Sequence, residues 1–599
     1  MLFGKYINRY YLRYLPALLV GVLALVAVDY MQLLVPELYG LLINGLSGGT
    51  VTVDGETLPF DMTFLLDRIC LPMILVILCM VVGRFLWRIC FRVSAIRMET
   101  HLRGEMFSRA KDLSQQYYEV NKVGSMMTLF TNDLETVQDC FGWGVLMFCD
   151  ALFLGVLAIG KMLMMDPLLT LFSMVPMAFM LVIGAVMHHR LEKGWDARQE
   201  AFAKLSDYAQ ETFSGIAVIK AFVKELKRQM GFSRINRENE QTNVAYTKTS
   251  TLLHILVTLF VESVICVIFG YGGYLVHIGS FDAGQLVTFI GYFTSLIWPV
   301  MAVSQLIEMK SRGKASLSRI AALLDAEADV RDREGAVEAT DLRGGIEFRS
   351  LTFRHPGASY DALTDVSFQI LPGEHVGIIG RTGAGKSTLV DLLLRIYNVP
   401  DGTVFFDGHD VNSLTIASVR RSCAYVPQDN FLFSDTISSN IAFSKDGATE
   451  EEIRASAVLA DVHGNITEFT DGYATVLGER GVTVSGGQKQ RISIARALLR
   501  EAGVLILDDA VSAVDVSTEK TILENLRRTR AGKTTLLIAH RVSTVESMDK
   551  IVFLDDGRVL DVGTHEELYG RCEAYRRTVE LQKLSEAEHT QAKEVASHA

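Results

Sequence analysis

Six runs of mostly apolar residues, about 15–38, 69–90, 143–165, 168–188, 252–276 and 285–307, dominate the first half of the chain. Each reaches the roughly 20 residues a helix needs to cross the hydrocarbon of a bilayer. Inside a bilayer the backbone must satisfy its own hydrogen bonds, which leaves helices and closed barrels. The first half is therefore expected to be an α-helical, six-span membrane domain. A mean hydropathy of +0.25 beside 21% charged residues requires that charge and apolar surface be segregated along the chain. They are, because the second half has the mixed composition of a soluble α/β domain. The net charge of −11 provides no basic footprint for nucleic acid, which is excluded as a partner.

The basic loops set the orientation. Arg9, Arg13, Arg92, Arg97, Arg103, Arg109, His189, Arg190, Lys193, Lys220, Lys224, Lys227 and Arg228 fall on one side of six crossings, and Asp54, Glu56, Asp61 and Asp282 on the other. The N-terminus and the second half are thus expected in the cytoplasm. The basic, aromatic start of the chain lacks a small-residue cleavage site and reads as an interfacial helix entering a retained span. Asp166-Pro167 predicts a tight hairpin between spans three and four. The connections 91–142 and 189–251 contain no proline and keep helical patterning. Each reads as a cytoplasmic helical hairpin turning near 117–124 or 211–219. About 25 residues of helix protrude ~37 Å. Ionisable residues inside spans are functional candidates by default. Asp29, Arg84, Asp150, Lys161 and Glu262 are the set, with Glu262 foremost because it sits mid-span; the competing reading is pairing between helices or snorkelling. The Met- and Phe-rich stretch through Met162, Met164, Met165, Phe172, Met174, Met177, Phe179 and Met180 suits an adaptable binding surface, although ordinary packing explains it better. The eight cysteines are scattered and predict neither disulfide nor metal site.

The expected boundaries are a transmembrane domain over 1–324, an acidic linker at 325–343, a nucleotide-binding domain at 344–581 and a polar tail at 582–599. In the third of these, the β-branched run 375–380 is followed by a glycine loop and the apolar helix pattern 388–396. Gly380, Arg381, Thr382, Gly383, Ala384, Gly385, Lys386, Ser387 and Thr388 form the phosphate-binding loop in its strand–loop–helix context. Its backbone N–H groups and helix N-terminus attract phosphate oxygens. Lys386 would neutralise the β/γ-phosphates of ATP and Ser387 would ligate Mg²⁺. The run Val504-Leu505-Ile506-Leu507-Asp508-Asp509 is a buried parallel strand ending in two carboxylates. Sites in such sheets lie beyond the strands' C-terminal ends, which places Asp508 to hold Mg²⁺ and Asp509 to orient or deprotonate the attacking water.

Between these motifs lies Val484-Ser485-Gly486-Gly487-Gln488-Lys489-Gln490-Arg491, which resembles the signature motif of ATP-binding cassette (ABC) transporters. Gln428 resembles that family's Q-loop, Ser512-Ala513-Val514-Asp515 its D-loop, and His540 its switch histidine. The six-span half resembles its exporter-type half-transporters, so the likeness covers nearly the whole chain. The fold class it implies is the six-span helical domain plus an α/β P-loop NTPase, the ABC cassette. The resemblance also implies a head-to-tail pair of cassettes in which Ser485, Gly486, Gly487 and Gln488 complete the partner's ATP site. Gln428 would sense Mg²⁺, Asp515 would lie at the interface, and His540 would meet the γ-phosphate.

Two positions depart from the family pattern. His355 stands where an aromatic usually stacks on adenine. Asp509 stands where a catalytic glutamate is expected; it is one methylene shorter, and a displacement of about 1 Å can cost roughly 10²-fold. The chain in this respect resembles the degenerate-site subunit of heterodimeric bacterial multidrug exporters. The implied function is ATP-driven export of amphipathic small molecules from the bacterial inner membrane, beside a second half-transporter subunit. An importer, for example of metal–siderophore complexes, or a lipid flippase on the same scaffold remains open, as does an ATP-gated regulator or channel. The spans exclude a soluble cassette ATPase of DNA repair or translation. Entry into the membrane near residue 15 argues against a leader-cleaving peptide exporter.

Overall fold

The computed structural model describes residues 4–53, 56–478, 481 and 483–584. Asp54 and the tail from 585 lie outside them. The chain divides into two compact units, one of 1–110 and 124–325, the other of 111–123 and 326–599.

The first unit is helical. Its main elements are α1 (Lys5–Gly48), α2 (Leu71–Lys111), α3 (Val145–Met165), α4 (Pro167–Ser214), α5 (Glu225–Val267) and α6 (Ala283–Asp325). Among the described residues, five helical runs are long and apolar enough to cross a membrane: Lys5–Gly48, Met62–Lys111, Val123–Met165, Glu225–His277 and Ala283–Asp325. The expected fourth span begins α4, whose shorter apolar stretch among the described residues is Pro167–Phe179. Asp166 caps α4 by accepting from the Leu169 N–H at 2.6 Å, and Pro167 occupies the first turn, where no N–H is needed. Prolines 16, 36, 176 and 299 lie inside these helices. Membrane helices tolerate them because neighbouring groups re-satisfy the freed backbone.

Helices α1 and α6 approach at a small-residue seam. A Cβ on Gly40 would lie 2.7 Å from the Gly284 carbonyl oxygen, and one on Gly284 would lie 2.1 Å from that of Gly40. In lipid such close backbone approach replaces the missing hydrophobic drive. Thr288 donates to the Pro36 carbonyl at 3.1 Å, and Asn44 accepts from the Gly284 N–H at 2.6 Å, closing the seam with polar bonds.

The hairpins carry more structure than simple turns. A six-residue helix, Gln115–Val120, forms the tip of the first, and Ile216–Ala221 the tip of the second. Two short antiparallel strands, β1 (Thr50–Val53) and β2 (Glu56–Pro59), occupy the first external connection. Neither feature was expected. Among the ionisable groups of the spans, Lys161 pairs with Glu37 at 2.7 Å, and Tyr292 also hydrogen-bonds Glu37. Trp298 donates to Asp150 at 2.6 Å, Asp29 is buried, and Arg84 reaches Gln32 at 3.4 Å. Glu262, the residue ranked first from sequence, is exposed on α5, as is Arg84 on α2. Met162 and Met177 are core residues, whereas Met164 is exposed.

In the second unit, β3 (Ile346–Phe353), β4 (Leu363–Ile370), β6 (Val404–Phe406) and β7 (His409–Asp410) form an antiparallel sheet in the order β4-β3-β6-β7. The main sheet has the order β12-β11-β5-β10-β9-β8, from β5 (His375–Gly380), β8 (Cys423–Val426), β9 (Val504–Asp508), β10 (Thr534–Ala539), β11 (Lys550–Asp555) and β12 (Arg558–Gly563). All its pairings are parallel except β11–β12. Every residue of β5, β9 and β10 is buried, as continuous apolar strands covered on both faces require. The expected linker is not a free spacer. Val337 bridges Leu414, the Ala339 N–H donates to Ser418 at 3.0 Å, and Arg421 pairs with Glu338 at 2.7 Å.

Candidate nucleotide site

Strands β5, β10 and β9 are consecutive in the sheet, and all three run the same way. Their C-terminal ends therefore deliver the phosphate loop after Gly380, His540 after Ala539, and Asp508 with Asp509 to one edge. Register enforces this, since Ile538 sits opposite Asp508.

Gly383 and Gly385 hold the loop in the left-handed region at φ 85° and 91°. Gly385 also faces the Ala362 carbonyl, which an added Cβ would meet at 2.7 Å. The helix α7 (Lys386–Leu393) starts there. Lys386 is buried, and its ammonium donates to the Gly380 and Arg381 carbonyls at 2.9 Å each. Burial lowers its pKa, while the charges of Asp508 and Asp509 oppose that shift. The Asp508 carboxyl is raised chiefly by burial and also by neighbouring Asp509, against the lowering effect of the Ser387 side chain beside it. Ala384 is buried, and Arg381 and Thr382 are exposed.

His355 lies beside α7, with Nε2 3.1 Å from the Thr388 hydroxyl and its ring edge-on to Phe353 and Tyr397, both at 5.1 Å. The Tyr397 hydroxyl donates to Glu119, on the hairpin-tip helix, at 2.5 Å. Asp391, one turn beyond Ser387, is pushed up to about 6 by burial and then by the charges of Asp508 and Glu119. Sequence reasoning passed over Tyr397, Glu119 and Asp391, because no local spacing joins residues so far apart.

Asp509 has a φ of 50°, uncommon for any residue with a side chain. Its N–H donates to the Ile538 carbonyl at 3.0 Å, and its carbonyl accepts from Gln490 Nε2 and the Ser512 hydroxyl, both at 2.9 Å. The backbone is thus pinned from three directions. Gln490 belongs to α8 (Gly486–Leu499), and its Oε1 accepts from the Ala513 N–H at 3.0 Å, so this buried amide ties α8 to the strand end and the D-loop together. It stands inside the signature run, but the motif reading gave it no role.

Ser485 caps α8 in a reciprocal box with Gln488, at 3.0 and 3.2 Å. These bonds are internal to the signature, and Gly486 and Gly487 open the helix without side chains. Asp515 caps α9 (Val516–Thr529) by accepting from the Thr518 N–H at 3.0 Å, and bonds from Ser517 and Thr518 hold its carboxyl well below the usual range. Gln428 is exposed just past β8, and His540 is half-buried past β10. Phosphate loop, paired carboxylates, His355 and His540 thus gather at one sheet edge, while the signature forms a separate, exposed helix start.

A family model described as the ABC transporter transmembrane region matches residues 18–300, and one described as ABC transporter matches 363–512. Over 588 residues the chain is 34% identical to a probable multidrug resistance ABC transporter ATP-binding/permease protein, YheI, of Bacillus subtilis strain 168, covering 98% of each chain. The chain is an ABC transporter. It is similarly 34% identical to the multidrug resistance-like ATP-binding protein MdlA of Escherichia coli strain K12, over 97% of this chain and 96% of that one. The structure of a bacterial Atm1-family ABC exporter with ATP bound aligns with a TM-score of 0.76 and 25% identity, covering 96% of this chain and 98% of the other. As an ABC transporter the chain is a multi-pass membrane protein that binds ATP and couples its hydrolysis to transport.

Proposed function

We propose that the chain is one half of a heterodimeric exporter of amphipathic small molecules, and that its own ATP site hydrolyses slowly. The observation that carries this reading is the pinned backbone of Asp509. A shorter carboxylate could be compensated if the strand end shifted toward the nucleotide. Three hydrogen bonds at a left-handed residue oppose that shift, so the missing methylene is felt in full. The multidrug names of the YheI and MdlA proteins support the substrate class.

In this reading the transmembrane part spans 1–324 and the cassette 344–581, with the cassette and N-terminus on the cytoplasmic side of the inner membrane. The backbone of Gly380–Thr388 cradles the phosphates, and Lys386 offsets their charge. Ser387, Asp508 and Gln428 hold Mg²⁺, a hard cation that takes such oxygen donors. The Ser387 side chain acts directly on the Asp508 carboxyl, so two of these oxygen donors are neighbours. When bound, Mg²⁺ would supply positive charge that offsets that of the phosphates. Asp509 orients the attacking water poorly, His540 contacts the γ-phosphate, and His355 flanks the adenine. Ser485 to Gln488 and Asp515 face the second subunit and complete its competent site.

The test is to purify the chain alone and with the half-transporter encoded beside it, both in lipid. The pair should hydrolyse ATP at least tenfold faster than the lone chain, with stimulation by amphipathic compounds in a panel. Asp509→Glu should raise the rate at this chain's own site by about 10²-fold. Strong ATPase activity from the lone chain that Asp509→Ala abolishes would sink the proposal.

A further inference from the structure

The C-terminal helix over 573–584 sends Tyr575 and Val579 into the cassette core, where they are 0% and 1% exposed. The Tyr575 hydroxyl lies 2.8 Å from His565 Nδ1, and its ring meets Phe553 edge-on at 5.5 Å. Gln582 falls on the same stripe, since positions i, i+4 and i+7 share a helix face. Its amide straddles Arg541: Oε1 accepts from the Val542 N–H at 2.7 Å, and Nε2 donates to the His540 carbonyl at 2.8 Å.

Both bonds meet a need. Val542 opens the short helix Val542–Val545, whose cap residue Arg541 contributes no side-chain bond. Its first N–H groups therefore depend on an outside acceptor. A carboxamide side chain carries an acceptor and a neutral donor side by side on one planar group, as these two bonds require. From the other side, Glu519 of α9 accepts from the Thr544 hydroxyl at 2.5 Å and faces Arg541 at 3.7 Å. A cleft of about 1020 Å³, lined in part by Glu519, Arg541, Glu546 and Gln582, opens beside this segment. Val542 and Val545 anchor the segment in the core, and on the cleft side, which packing leaves open, polar bonds complete its positioning.

We propose that Gln582 is a positioning residue for His540, fixing the peptide groups on either side of Arg541 and thereby the direction of the imidazole. This rests on the reading of His540 as the γ-phosphate contact. The C-terminal helix then acts as a brace: its core anchors hold Gln582, and Gln582 holds the histidine.

The test uses the intact paired transporter in membrane vesicles, photolabelled with radioactive 8-azido-ATP after an unlabelled chase. The half-life of nucleotide trapped on this chain is read by autoradiography. Gln582→Met keeps length and packing but loses both hydrogen bonds. It should shorten the trapped half-life by roughly tenfold, leaving the concentration for half-maximal initial labelling within about twofold. His540→Ala should shorten the half-life similarly, and the double variant should be no worse than His540→Ala alone. A half-life unchanged by Gln582→Met, while His540→Ala shortens it, overturns the brace and spares the site reading. Additive losses in the double variant overturn it too, since Gln582 would then act apart from His540. No effect of His540→Ala, or no trapped label on the parental chain, overturns the site reading and the brace with it.

Discussion

Asp391 feels the charges of Asp508 and of the hairpin-tip Glu119, and burial with these two charges pushes it up to about 6. A carboxyl whose folded pKa exceeds its unfolded value stabilises the fold in its protonated form. That contribution is complete below about pH 4 and is lost as pH rises to about 6. The full span is on the order of 3 kcal/mol. Asp391→Asn should therefore flatten the fall in apparent unfolding temperature between pH 4.5 and 7, as read by thermal scans of the purified transporter. At Gly385 the left-handed φ and the 2.7 Å approach of the Ala362 carbonyl act together. Gly385→Ala should abolish binding of a fluorescent ATP analogue and cost more than ~1 kcal/mol of stability. The phosphate loop was legible because its chemistry is local: glycines, lysine and serine at fixed spacing between a strand and a helix. Asp391 and Gln490 were not, because their roles depend on groups that only the sheet order brings near.

At the level of elements, the turn between α3 and α4 was written in two residues, a capping Asp166 and Pro167 in the first helical turn. Asp166→Ala should lower thermal stability by about 1 kcal/mol. Five of the six spans were equally legible, since hydropathy over twenty residues is a strong signal; the fourth has a shorter apolar stretch, Pro167–Phe179, among the described residues. The tip helices Gln115–Val120 and Ile216–Ala221 were not, because six residues carry too little periodicity to distinguish a turn from a helix. Which intramembrane charges pair was also beyond the sequence. Glu37, outside the candidate set, proved to be the partner of Lys161 and Tyr292. Removing one member of a half-buried pair leaves the other uncompensated. Glu37→Gln should therefore reduce stability in detergent more than the double Glu37→Gln, Lys161→Met, a comparison that thermal scans of the single and double variants resolve.

For the whole transporter, the proposed asymmetry makes the two halves of this cassette unequal in consequence. Ser485→Arg, which would block the signature in its proposed role toward the second subunit, should cut phosphate release by the pair at least tenfold. Lys386→Met, which disables this chain's own slow site, should cost markedly less in the same assay. Equal losses would restore a symmetric machine. The comparison bears on Gln490, whose single amide grips the Asp509 carbonyl at 2.9 Å and the Ala513 N–H at 3.0 Å from within the signature helix. Through it, the part of the cassette that serves a neighbour and the part that serves its own nucleotide share one degree of freedom. Under the proposed asymmetry, a displacement of the signature helix would be passed through Gln490 to the strand end at Asp509, tying the timing of the slow site to that of the fast one.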